Sequence, residues 1–144
     1  MRICDHKGML IAVFTRDEHC PPHVHVDGGK WAARFEFSFW HDGVRLLDVV
    51  PVYRRPTTAI LEEVRLAMMK PEHLRRAREC WWRSAQTVCL RNQFWDSHLT
   101  EVVESKSVAH GQAASLIAIA SFDARTYRTT LHLAGQQEPL EIEL

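Results

Sequence analysis

Hydrophobic positions recur every second residue in the first third of the chain, at helical spacing in the middle, and every second residue again near the end. Met9 to Phe14 is an apolar run that stops at Thr15-Arg16-Asp17-Glu18, and it predicts a strand. His19-Cys20-Pro21-Pro22 follows. Two adjacent prolines impose extended backbone and remove two N–H donors, so this is a rigid connection rather than a helix. His23-Val24-His25-Val26 alternates polar with apolar and predicts a second strand, closed by the turn residues Asp27-Gly28-Gly29. Lys30 to Trp40 alternates most clearly. Trp31, Ala33, Phe35, Phe37 and Phe39 share one face, and Ala32, Arg34, Glu36, Ser38 and Trp40 the other. His41-Asp42-Gly43 marks a turn before a fourth strand, Val44 to Val50. The result is an antiparallel meander whose aromatic face must be covered.

The cover follows in the sequence. Thr57 or Thr58 can cap a helix, with Glu62 and Glu63 near its positive end. Ile60, Leu61, Val64, Ala67 and Met68 have helical spacing. Pro71 ends that helix and suits the first turn of the next, which is expected to run to about Phe94. Its buried stripe would be Leu74, Ala77, Trp81, Ala85 and Val88, set against Trp31, Phe35, Phe37 and Phe39. Trp82 cannot share a core with Trp81, so it should be partly exposed.

Asp96 to Gly111 is mixed and polar, with a short element at Leu99–Val103. Beyond it, Leu116–Phe122, Tyr127–Leu133 and Leu140–Leu144 return to strand-like patterns. The predicted fold is α+β. A ββββαα domain spans 1–95, a linker 96–113, and a C-terminal β-meander 114–144.

Charge refines this picture. Lys plus Arg and Asp plus Glu both number 18, so net charge is zero and bulk electrostatics single out neither nucleic acid nor a membrane surface. The charge is unevenly spread, at −1 over residues 1–50, +5 over 51–95 and −4 over 96–144. Fourteen of the cations are Arg, the side chain suited to bidentate phosphate or carboxylate contacts. No apolar run approaches the length of a membrane-spanning helix, and the N-terminus lacks the apolar stretch of a signal peptide, so a cytoplasmic protein is expected. Cys4, Cys20, Cys80 and Cys89 form no C-x-x-C pair and are expected to be reduced.

The candidate chemistry lies in 17–26. On a strand His23 and His25 point to one face, roughly 7 Å apart along the chain. His19 and Asp17 can approach the same point. Three readings compete. His19, His23 and His25, completed by Cys20 or Asp17, could hold zinc. The imidazoles could instead act as acid and base on a phosphodiester without a metal, with Arg residues stabilising the charge; no resident cofactor is expected, with zinc as the possible one. Or they could be structural, bonding carboxylates and backbone around the Pro-Pro turn or packing on Trp31 or Trp40. Val24 and Val26 are the natural inward residues, so both rings are expected beside Arg34 and Glu36, bordering solvent.

The run Asp17-x-His19-x-Pro21-Pro22-His23-x-His25-Val26, followed by a glycine turn and a strand, resembles domain-of-unknown-function family 4160 of bacteria and phages over about residues 9–95. This chain departs from the family pattern by having Glu18 between Asp17 and His19, and Val24 where Phe is usual. The resemblance implies a compact α+β domain and membership of a toxin–antitoxin-like gene pair, with a cognate small protein as partner. The reading that follows is a component acting on or near nucleic acid. His23 and His25 are its site, His19 and Asp17 support them, and Arg54, Arg55, Arg75, Arg76 and Arg78 contact phosphate. The alternative is a non-catalytic module whose Trp82 and basic helix dock an acidic protein.

Overall fold

A computed structural model describes residues 1–16, 18–104 and 114–144. The fold is α+β, with two antiparallel five-stranded sheets and two α-helices among the described residues. It divides into two compact units, Met1–Gln86 and Thr87–Leu144. Among the described residues, no helix is long and apolar enough to cross a membrane.

The first unit carries a sheet in plain sequence order, β1 (Arg2–His6), β2 (Met9–Ala12), β3 (His23–Asp27), β4 (Ala32–Glu36) and β5 (Arg45–Val50). The edge strand β1 was not expected. It joins β2 through Lys7 and Gly8, whose φ values of 49° and 83° suit a two-residue hairpin. β4 is shorter than its alternation suggests, ending at Glu36, yet Phe37 and Phe39 stay buried beyond it. Val24, Val26, Ala33 and Phe35 form the inward face. Trp31, expected with them, is only half-buried.

Two helices cover this face. α1 (Thr58–Met68) starts at Thr57, whose Oγ1 accepts from the Ile60 N–H at 3.3 Å. It packs against β5 and buries Leu61, Val64, Ala67 and Met68, while Ile60, placed in that stripe by spacing, is exposed. α2 (Pro71–Ala85) begins with Pro71 in its first turn and packs against β1. It buries Leu74, Ala77, Cys80 and Trp81, and Trp81 meets Phe37 edge to face at 6.2 Å. The helix stops nine residues before the expected Phe94, because Gln86 adopts a left-handed conformation at φ 55°. Val88 is buried but lies outside α2.

The second unit holds β6 (Phe94–Asp96), β7 (Glu101–Val103), β8 (Ser115–Asp123), β9 (Arg128–Leu133) and β10 (Leu140–Glu143), in the order β10-β9-β8-β6-β7. The expected boundary near residue 95 therefore moves to 86/87, and Trp95 pairs with the C-terminal strands. Part of the expected linker is a hairpin. The Asp96 carboxylate accepts from the His98 and Leu99 N–H groups at 2.9 and 3.0 Å, turning β6 into β7. Three-residue strands are too short to display alternation. The rest of that linker, 105–113, lies outside the described residues.

Cys4 and Cys80 are free thiols.

Candidate functional site

Registry builds the site. β3 runs against β4 with His23 opposite Glu36 and His25 opposite Arg34. β5 continues these rows with Arg45 and Asp48, and β2 adds Ala12 beside His25. Both histidines therefore share the outer face with Arg34 and Glu36, as the inward valines imply. The charges of these rows pair with one another. Arg34 Nε donates to Asp48 at 3.0 Å and its Nη2 at 2.6 Å, and Arg45 Nε donates to Glu36 at 2.9 Å. The Arg34 guanidinium holds the Asp48 carboxyl below the ordinary carboxylate range.

The two rings differ in environment. His25 is 24% exposed and its ring stacks on Phe14 at 3.9 Å. His23 is 3% exposed, because the Trp81 indole from α2 meets its ring at 5.3 Å. The expectation that both border solvent is thus corrected for His23. Burial also pushes the His25 imidazole below its ordinary value, against the opposing pull of Glu18.

Glu18 is the group that joins them. Its Oε1 lies 3.0 Å from His25 Nε2, within a hydrogen bond, and its Oε2 lies 2.6 Å from His23 Nε2. The second contact has a chemical difficulty. His23 Nδ1 is 2.8 Å from the Pro21 carbonyl oxygen. A carbonyl only accepts, so Nδ1 carries the proton, and a neutral His23 presents a bare lone pair at Nε2. A carboxylate oxygen lies 2.6 Å from that nitrogen. Despite the short distance, this buried Nε2 makes no hydrogen bond among the described residues. Either a second proton or a cation must lie between the two atoms.

The donor set suits a cation. One ligand atom from each of Glu18, His23 and His25 lies within 4.8 Å of the others. Around a single tetrahedral ion such atoms stand about 3.3 Å apart, given bonds of about 2.0–2.1 Å, so modest opening would admit one. The Nδ1–H···O=C bond of His23 is the outer contact that orients metal-ligating imidazoles.

Of the residues expected here, the structure brings His23 and His25 together with Glu18. His19 and Cys20 are exposed and stand outside this donor set. Asp17 lies outside the described residues. The structural contacts expected for the rings are also present, with Trp81 in the place given to Trp31 or Trp40. The resemblance pointed to Asp17 and His19, and Glu18 stood between them as a departure. The signal that could have found it is its carboxylate, one residue away in the same loop.

The proposed phosphate contacts do not gather at one place. Arg54 and Arg55 are exposed at the turn Val52–Arg54, where Arg54 lies 5.6 Å above the Tyr53 ring. Arg75 and Arg76 are exposed on α2, and Arg76 Nε donates to the Arg2 carbonyl at 2.7 Å. Arg78 is buried. It donates to the Ser38 and His41 carbonyls and to Asp42 at 2.8–2.9 Å, so it cannot present itself to phosphate. Trp82 is half-buried.

Comparison with known protein families, with curated proteins and with solved structures finds no match.

Proposed function

We propose that the protein binds a divalent transition metal through Glu18, His23 and His25, leaving at least one coordination position open. The observation that carries this is the buried His23 Nε2, held 2.6 Å from a Glu18 carboxylate oxygen with no hydrogen bond among the described residues. Two imidazoles and one carboxylate with an open position form a donor set used by catalytic zinc and by non-haem ferrous centres. Bound zinc would supply Lewis acidity and lower the pKa of a coordinated water to about 7. The chain's own residues hold the site ready. Pro21 fixes the His23 tautomer, Phe14 keeps the His25 ring in plane, and Trp81 excludes water from the inner side.

Toxin-like action on nucleic acid, expected from the motif, finds less support in this geometry. The cations facing the histidine rows are Arg34 and Arg45, and carboxylates already engage both. The test is cobalt substitution. Chelator-stripped protein given Co(II) should develop the visible absorption of a low-coordinate site at one ion per chain, and Glu18→Gln and His25→Gln should abolish it. A spectrum indistinguishable from aqueous cobalt would overturn the reading.

A further inference from the structure

A pocket of about 460 Å³ opens on the same outer face, beside His25. This is the size range of small-molecule sites. Its floor is low because two positions of successive outer rows, Ala12 on β2 opposite His25 and Ala32 on β4 opposite Asp27, carry only a methyl group. Its walls are Leu10, Phe14, Trp31 and Val50. Leu10, Phe14 and Val50 are 40–55% exposed, a concentration of apolar surface that solvent alone does not explain. Trp31 stands where it does because Gly28 has no side chain. A Cβ there would lie 2.1 Å from the indole.

We infer that this pocket seats the apolar ring of a small aromatic carboxylic acid whose carboxylate reaches the open position of the metal centre. The inference rests on the metal reading above. His25 connects the two, since it lines the pocket and also meets Glu18. One carboxylate on a divalent ion leaves a net positive centre, and an anionic oxygen is its natural fourth ligand. Lys30 adds a cation to the lining. Asp27, the opposite charge there, is turned back onto the Gly29 N–H at 2.8 Å. Flat aromatic walls favour a ring over a branched chain.

The experiment first measures zinc content by elemental analysis, then titrates phenylacetate and acetate separately into the zinc-loaded full chain by calorimetry. Phenylacetate should bind at least about tenfold tighter than acetate, and Ala32→Leu, which fills the floor, should bring the two within about twofold without loss of zinc. Equal binding of both acids by zinc-loaded wild-type chain would overturn the pocket assignment, whether or not the variant folds. A chain that takes up no zinc would overturn the metal reading, and the pocket proposal with it. A dimer that dissociates in Ala32→Leu would show that a second copy covers the pocket, and would equally overturn the inference.

Discussion

His23 Nε2 and Glu18 Oε2 lie 2.6 Å apart although both present lone pairs when the imidazole is neutral. The Pro21 carbonyl creates this situation by taking the proton-bearing nitrogen. Glu18, Pro21 and His23, in one loop and strand, thereby hold an acceptor against an acceptor in a nearly dry place. A site of this kind costs stability unless something positive occupies it.

The two histidines should respond differently to removal. His23 is buried, packs on Trp81 and bonds Pro21, so His23→Ala should cost about 2–4 kcal/mol in metal-free protein. His25 is partly exposed, so His25→Ala should stay within about 1 kcal/mol. Urea titration of both variants checks this. Equal costs would contradict the difference between the two ring environments.

Arg78 should prove structural. The residue is 2% exposed, and its guanidinium serves the Ser38 and His41 carbonyls besides Asp42. Arg78→Ala leaves two carbonyls unmet and should cost about 2–4 kcal/mol. Arg78→Lys should recover only part, because a single ammonium cannot reproduce the planar fork. Thermal unfolding gives the comparison. Wild-type stability in Arg78→Ala would contradict the assignment.

How far these features could be read beforehand depends on which force set them. The outer-face row of His25 and Arg34 was legible because a strand's period of two follows from covalent geometry, and Val24 and Val26 mark its inward side. Phe37 and Phe39 were correctly placed in the core although β4 ends at Glu36, since burial follows hydrophobicity even where ladder pairing stops. Arg78 was misread. Its position on a basic helix suggests a solvated face, and only the fold-back of 38–42 supplies its acceptors. Glu18 was missed as the joining group for a similar reason. Its distance from the rings depends on how the loop before Pro21 returns, and no local periodicity encodes that.

Acid should weaken the metal-free fold through His25. Burial, with His23 and Arg34 acting in the same direction, lowers its pKa below the ordinary 6.5, and Glu18 only partly opposes this. The unfolded chain therefore takes up the proton first. The contribution of His25 is complete above about pH 6.5 and declines as pH falls from there toward the folded pKa. Denaturant titrations at about pH 7.5 and pH 5.5 should show a smaller pH-dependent loss in His25→Gln than in wild type. An unchanged loss would remove His25 as its source.

Calorimetric titration of zinc into chelator-stripped protein tests the central claim most directly. One ion per chain should bind, and Glu18→Gln should weaken binding by at least about tenfold, while His19→Ala leaves it unchanged. Absence of a binding isotherm in the wild type, or equal affinity in Glu18→Gln, would contradict a metal centre built on Glu18, His23 and His25.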